Sequence, residues 1–288
     1  MPRNIVATFA NKDSQKDLEV FLFSLSLWHS ATDLKVYIFT DTPVGELVKT
    51  SYTQYNFPII TKNVLDKYSS LTRKQMERTR GEHFATKWGD LMGEKMNLLD
   101  WIFEVEPIAS KVGIYLLDAD ICFFGALPQV PPTTTLALSP HFINNRSTTL
   151  FGKYNGGFLF TRSPQVSRVW RNATIFRSRY FEQAALEELA EEFDAYEFPL
   201  QVNYGWWRMF QANVGAEEQQ RAFSGGCGGL LLNGEALQSV HTHWTGSGAD
   251  PVCCAFNKFI LDKCHRLKSR NTNLEKLVEY LQKVGDIR

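Results

Sequence analysis

The chain has 288 residues, 44% of them hydrophobic, and its 31 Lys and Arg balance 31 Asp and Glu. That length can bury the core of one large α/β domain, and zero formal net charge supplies no global field for nucleic acid or an anionic membrane, so anionic ligands must be met by local groups. No apolar run approaches the roughly 20 residues of a membrane-spanning helix and Met1-Pro2-Arg3-Asn4 runs straight into a strand, so a soluble, cytoplasmic chain with no membrane anchor and no nucleic-acid partner is expected.

Asn4 to Phe9 reads as a strand, followed by a polar turn over Asn11 to Ser14 and by Leu18, Phe21, Leu22, Leu25 and Trp28 at helical spacing. Leu34 to Asp41 is a second strand ending on an acid, which makes the first forty residues a βαβ unit with a right-handed crossover. The sheet is therefore expected to be parallel and covered by helices on both faces. Residues 61–82 are polar and read as a surface excursion or mobile loop. From His83 to Phe103, Trp88, Leu91, Met92, Lys95, Met96, Leu99 and Ile102 fall near one helical face. The methionines there suit core packing, whereas a lone Lys95 among them either snorkels or pairs with an anion.

Ile114-Tyr115-Leu116-Leu117-Asp118-Ala119-Asp120 is an apolar run, read as a buried parallel strand, that stops on two carboxylates one residue apart. Residues i and i+2 lie on one side of an extended chain, so both carboxylates can be aimed at one cation, and two hard oxygen ligands suit Mg²⁺ or Mn²⁺ that also holds phosphates. Asp is a common turn residue and a bare Asp-x-Asp is more often a solvated turn. Here Phe123, Phe124 and Gly125 keep the chain apolar just past the pair, which a solvated turn does not require.

After a turn at Pro128 to Pro132, strands are expected at Leu136 to Ser139 and Gly157 to Thr161, the latter entered through Tyr154-Asn155-Gly156-Gly157, where paired glycines permit close approach of a ligand. Ser163 to Tyr180 and Glu182 to Phe193 read as helices, with Glu182 and Gln183 in the first turn of the second. Tyr204 to Phe210 is dense in aromatics, and Gly225 to Gly229 is a flexible turn without the Lys-Ser or Lys-Thr of a phosphate loop. Val240-His241-Thr242-His243-Trp244 reads as a strand whose two histidines share a face. Five cysteines, with Cys253 and Cys254 adjacent, fit reduced thiols and no zinc pattern. Asn271 to Ile287 is a polar helix packed through Leu274, Leu277, Leu281 and Val284. Without repeat or linker, one domain over 1–288 is expected, with a nucleotide-binding half near 1–125, an acceptor and catalytic half near 126–260, and the C-terminal helix at 271–287.

Taken in order, Thr8-Phe9-Ala10-Asn11, Thr40-Asp41, Leu117 to Asp120, Tyr154 to Gly157, Glu182-Gln183 and His243-Trp244-Thr245-Gly246 give a pattern over about residues 4–260 that resembles GT-A fold glycosyltransferases, in particular nucleotide-diphospho-sugar transferases similar to glycosyltransferase family 8. Compact members without anchors occur in bacteria and in large DNA viruses of algae. The resemblance implies a Rossmann-like open mixed, mostly parallel sheet flanked by helices. It also implies Mn²⁺ or Mg²⁺ on Asp118, Asp120 and His243, with His241 the alternative ligand, bridging the diphosphate of a sugar nucleotide. Thr8, Ala10, Asn11 and Asp41 then meet the nucleoside, Ala119 lies within the metal loop, and Asn155, Gly156 and Gly157 lie beside donor sugar and acceptor. Glu182 and Gln183 stand in for the family's Asp-Gln pair near the reacting carbon. The family's Lys-Pro-Trp after His-x-x-Gly is missing past Gly246, leaving Lys95 or Lys258 to clamp the diphosphate.

An acid close to the anomeric carbon must take the acceptor's proton or stabilise an oxocarbenium-like state, and Glu182, Asp250 and Glu217 are candidates in that order. Trp206, Trp207 and Phe210 can form an acceptor platform or simply pack in the core. The expected function is metal-dependent transfer of a sugar from a UDP-type donor to a glycan or small acceptor hydroxyl. A sugar-phosphate nucleotidyltransferase needs a Gly-rich basic loop after strand one, which Ala10-Asn11-Lys12-Asp13 lacks. A catalytically silent glycan-binding protein of the same fold is the remaining alternative.

Overall fold

Apolar side chains on both faces of the central segments force a sheet buried on two sides. The computed structural model describes residues 3–30, 32–226, 228–244 and 250–284. The strands are β1 (Asn4–Ala10), β2 (Leu34–Thr40), β3 (Ile59–Asn63), β4 (Ile114–Leu117), β5 (Ile121–Phe123), β6 (Leu136–Pro140), β7 (Tyr154–Thr161), β8 (Tyr196–Glu197), β9 (Tyr204–Gly205), β10 (Phe223–Gly226), β11 (Gly229–Leu232), β12 (Glu235–Ala236) and β13 (Ser239–His241). The main sheet runs β3-β2-β1-β4-β7-β6-β8. Neighbours β3, β2, β1 and β4 are parallel, while β7 runs antiparallel to both β4 and β6, so the sheet is mixed.

Alternation along the strands fills two layers. Val6, Val36, Ile38, Tyr115, Leu117, Phe158 and Phe160 face helices α1 (Gln15–Trp28) and α2 (Thr42–Ser51). Their neighbours Ile5, Ala7, Tyr37, Phe39, Ile114, Leu116 and Leu159 face three more helices. These are α4 (Lys87–Val105), which follows the short α3 (Arg73–Arg78), then α7 (Gln165–Phe176) and α8 (Leu186–Glu192), with short α5 (Ala109–Val112) and α6 (Asn145–Phe151) between. A third apolar cluster joins the small sheets β10-β11-β12 and β5-β13-β9 to helices α11 (Pro251–Leu267) and α12 (Thr272–Val284). Among the described residues no helix is long and apolar enough to cross a membrane.

Three expectations change. Residues 61–82 are structured: β3 ends there, α3 forms, and Leu65, Tyr68 and Met76 pack with Leu91 as a separate apolar cluster. The second predicted helix after β7 begins at Leu186, so Glu182 and Gln183 lie in the turn before α8, where Phe181 takes φ 40°. The segment around the second His is not one strand, because β13 ends at His241 and His243 lies beyond it. The Gly225 to Gly229 turn is the tip of the antiparallel β10-β11 hairpin, although Cys227 lies outside the described residues. α12 ends at Val284, and residues 285–287 of the expected helix also lie outside.

Candidate active site

The chain folds outward from β1 in one direction and from β4 in the other, and a ligand crevice belongs at the carboxyl ends of strands flanking such a reversal. Asp118 to Asp120 leave β4 there and Asn11 leaves β1 beside them. The short β5 that follows is pinned to α1: Ser24 Oγ accepts from Phe123 N–H at 3.1 Å, and Trp28 Nε1–H donates to Phe123 O at 3.2 Å. β13 then pairs antiparallel with β5, setting His241 opposite Ile121, and Thr242 N–H donates to Asp120 O at 2.9 Å. Two segments more than a hundred residues apart in sequence thereby deliver an Asp and a His to one point.

Asp118, Asp120 and His241 each offer a ligand atom, all within 4.8 Å of one another. His241 Nε2 stands 2.9 Å from Asp120 Oδ1 and 4.0 Å from Asp118 Oδ2. Cis ligands of an octahedral cation at about 2.0–2.1 Å are about 3 Å apart and trans ligands about 4 Å, so both spacings fit one Mg²⁺-like ion. Oxygen, oxygen and imidazole also suit Mn²⁺. The other His241 nitrogen is oriented: Nδ1 sits 3.0 Å from Asn203 Oδ1, while Asn203 Nδ2 donates to Asn155 Oδ1 at 3.0 Å and to Ser139 Oγ at 3.2 Å. With its amide so directed, Asn203 requires a proton on Nδ1 and leaves Nε2 for the acids or a metal, as outer partners of ligating histidines do.

His243 is half exposed, with Nδ1 at 3.2 Å from Asp17 Oδ2 and 3.4 Å from Asp120 Oδ2. The Asp17 hydrogen bond, followed by the Asp120 charge, pushes its pKa up to about 9. Burial alone raises a carboxyl, but at Asp120 the charge of His241 and its hydrogen bond outweigh burial and hold the acid well below the usual range. Asp118 goes the other way, raised by burial against the opposing pull of Lys95.

Lys95 resolves as a pairing lysine. Its ammonium is buried, 3.0 Å from Asp118 Oδ1 and 3.1 Å from Glu182 Oε1, donates to Gly156 O at 2.9 Å, and lies over the Phe9 ring. Burial alone lowers an ammonium, yet the two carboxylates override it and the group stays charged. Glycine is required beside this cluster: a Cβ on Gly157 falls 2.5 Å from both Asp118 Oδ2 and His241 Cε1, and one on Gly156 falls 2.9 Å from Glu182 Oε1. Gln183 holds the same loop, accepting from Gly156 N–H at 3.3 Å and donating to Phe151 O at 2.9 Å.

A cleft of about 470 Å³ opens onto Asp118, Ala119, Asp120 and His243. One wall is polar, with Asn11, Asp13, Ser14 and Asp17; the other is apolar, with Leu65, Met76, Trp88 and Met92, and Arg73 lies over the Trp88 ring at 4.6 Å. Thr8, Ala10 and Asp41 do not line it. Thr8 and Ala10 are buried in β1, and Asp41 is fully enclosed, accepting from Val44 N–H at 3.1 Å as the N-cap of α2 and from Lys12 N–H at 2.9 Å. Asp41 therefore holds the Lys12 backbone rather than meeting the cleft. Asp250 caps α11 through Val252 N–H, Lys258 is exposed on that helix, and exposed Glu217 sits 3.6 Å from Arg221 one turn on, within α10 (Ala216–Arg221). Gly246 lies outside the described residues. Trp207 packs edge-on to His241 at 4.9 Å, and Trp206 tilts against exposed Phe210 at 5.6 Å.

Asp17, Asn203, Arg73 and Trp88 are the parts sequence reasoning missed. Asp17 carried a signal, a carboxylate on the buried side of the first turn of α1. Asn203 sits at φ 60°, a conformation Asn tolerates better than most residues.

Neither any protein-family model nor any curated protein matches the sequence. Its fold is that of GT-A glycosyltransferases. The apo form of the glycosyltransferase GlyE of Streptococcus pneumoniae TIGR4 superimposes with a TM-score of 0.54 at 12% identity, over 99% of this chain and 65% of that one. Mouse xyloside xylosyltransferase 1 in its apo form gives 0.50 at 11% identity, over 83% of this chain and 97% of that one. The chain thus spans less than two thirds of GlyE's length.

Proposed function

We propose that this protein is a metal-dependent glycosyltransferase that moves a sugar from a nucleotide-diphosphate donor, UDP-type favoured, to a hydroxyl of a glycan or small acceptor. The observation that carries the reading is the Asp118, Asp120 and His241 donor set, its atoms within 4.8 Å of one another and its two acids lining the cleft. His241 is the preferred third ligand because its Nε2 is directed at Asp120, with His243 next in reach. Asp118, Asp120 and His241 would hold a divalent ion, which would supply charge stabilisation to a departing diphosphate. The chain's own groups do the rest. The apolar wall around Trp88 takes the nucleobase, the polar wall of Asn11, Ser14 and Asp17 takes the ribose, and Arg73 supplies a cation at the cleft where no Lys-Pro-Trp segment does. Lys95 fixes Asp118 and Glu182 at a set separation and keeps water out of the space between them. Glu182, beside Gly156, is the acid we assign to the anomeric carbon or the acceptor hydroxyl.

A thermal-shift screen of UDP- and GDP-sugars with and without Mn²⁺ tests this. A donor present at 100 times its dissociation constant stabilises by about 2.7 kcal/mol, and the shift is expected only with the metal. Asp120→Ala should abolish it while the variant still folds cooperatively, because the substitution removes a ligand from the cleft edge and no core side chain. Absence of any metal-dependent shift, or normal turnover in Asp120→Ala, refutes the assignment.

A further inference from the structure

Behind the Asn155 to Gly157 segment lies a second pocket of about 190 Å³, space of the order of one sugar ring. Three of its walls are the rings of Phe151, Tyr180 and Trp207. Polar groups come from Asn155, Gln183, Gln211 and His141. No carboxylate, ammonium or guanidinium is among its lining residues.

The one titratable nitrogen base, His141, is held neutral by its neighbours. Asn155 Oδ1 accepts from Gly157 N–H at 2.9 Å and from Asn203 Nδ2, which turns the Asn155 amide NH₂ toward His141 Nε2 at 3.2 Å. Nε2 must therefore accept, while Nδ1–H donates to Gly152 O at 3.1 Å. Burial acts in the same direction, pushing the His141 pKa down to about 4.

The pocket also adjoins the proposed reaction centre. Gln183 follows Glu182 and grips Gly156, whose carbonyl holds Lys95. The Tyr180 phenol, raised chiefly by burial, feels both Glu182 and the Arg73 guanidinium of the larger cleft. Trp207 touches His141 on one side and His241 on the other.

We infer that this pocket is the acceptor subsite and that it takes an uncharged sugar ring, presented as a neutral glycoside, in preference to a uronic acid or a phosphorylated sugar. The acceptor role rests on the glycosyltransferase reading. The selectivity rests on the lining itself: aromatic faces stack on the C–H face of a pyranose, amides and a neutral imidazole exchange hydrogen bonds with hydroxyls, and an anionic substituent meets no cation among the lining residues.

Binding without donor or metal separates the two claims. Saturation-transfer NMR and calorimetry should be run with the methyl glycosides of glucose, galactose and xylose, and with methyl glucuronide and a methyl glucoside 6-phosphate as charged counterparts. At least one neutral glycoside is expected to bind more than roughly tenfold tighter than its charged counterpart, given the cost of burying an unpaired charge. Gln211→Ala should weaken it by roughly threefold to tenfold, the worth of one hydrogen bond, and Phe151→Leu should weaken it without lowering the melting temperature enough to signal unfolding. Equal or tighter binding of the charged sugars, or parental affinity in both variants, overturns the inference. A protein that binds neutral glycosides through these residues but shows no donor binding would retain the subsite and refute the transferase reading.

Discussion

Replacing Lys95 by Met tests whether the buried trio is a built electrostatic unit. The side chain is 3% exposed and its ammonium contacts one oxygen of Asp118 and one of Glu182. Those three groups sum to a charge of −1, and removing the cation leaves −2 on two neighbouring carboxylates, one of them only 7% exposed. Breaking a buried ion pair by deleting one partner costs about 3–5 kcal/mol. Asp118 is 27% exposed and can shed part of that cost to water, which places Lys95→Met near about 3 kcal/mol. At roughly 2 °C per kcal/mol for a chain of this size, the melting temperature should fall by about 6 °C. Urea unfolding should give the same loss at unchanged slope. The double variant Lys95→Met with Glu182→Gln removes the excess charge and should recover at least about 1 kcal/mol, a coupling expected only of groups in contact. Asp118 is already raised by burial with Lys95 opposing. Without Lys95 it rises further, and a carboxyl raised in the folded state loses stability as pH climbs through its folded pKa. The deficit should therefore widen as pH rises above the usual carboxylate range. A loss below about 1 kcal/mol, or no rescue by Glu182→Gln, would show that the trio is incidental.

His241→Ala should weaken Mn²⁺ binding, read by electron paramagnetic resonance titration, more than His243→Ala, because Nε2 of His241 is buried and 2.9 Å from Asp120 whereas His243 is half exposed; the opposite order hands the ligand role to His243. Glu182→Gln should keep donor affinity while turnover falls at least about a hundredfold, the lower bound for losing a general base; turnover within a few fold of the parent reduces Glu182 to a partner of Lys95. His141 is depressed in the folded state from 6.5 to about 4, so its contribution is complete above about pH 6.5 and is lost as pH falls toward about 4. Over that window the parent should lose about 3 kcal/mol more stability than His141→Asn, measured by urea unfolding at fixed pH values; parallel pH profiles would mean that His141 titrates normally.

The fold was legible wherever a single physical signal dominated. β1, α1, β2, α4 and β4 follow from alternation or helical spacing of apolar residues, and the observed elements match them within a few residues. Residues 61–82 misled because Leu65, Tyr68 and Met76 are spread among charged residues and bury themselves against Leu91 of α4, with Phe9, Trp88 and Met92 alongside, contacts local patterning does not contain. The mixed character of the sheet was equally hidden in the β7 segment itself. Tyr154 to Thr161 is buried throughout, and a strand buried on both faces reads the same in either direction; its reversal is set by pairing with β4 and β6.

The site divides along the same line. Asp118 and Asp120 were legible as a pair because their spacing at the end of an apolar strand is itself the geometry, whereas Lys95 was legible only as a cation that either snorkels, pairs or clamps a diphosphate, and the structure pairs it with Asp118 and Glu182, away from the cleft lining. Asp41 misled for a related reason: an acid at a strand's end is equally the N-cap of the next helix, and here Thr42-Pro43 starts a helix whose Val44 amide donates to the carboxylate. The choice between His241 and His243 could not be made from strand period, since the period ends with β13 at His241. What favours His241 in the proposed reading is Asn203, a residue in no motif. Its amide is directed by Asn155 and Ser139, and it in turn directs His241 toward Asp120 and, through Asn155, holds His141 neutral in the smaller pocket. One asparagine therefore fixes the proton positions of two histidines, one beside the acid pair and one in the smaller pocket. Because each hydrogen bond in that chain forces the next, Asn203→Asp should disturb metal affinity and neutral-glycoside affinity together, whereas a residue serving only one pocket would disturb one.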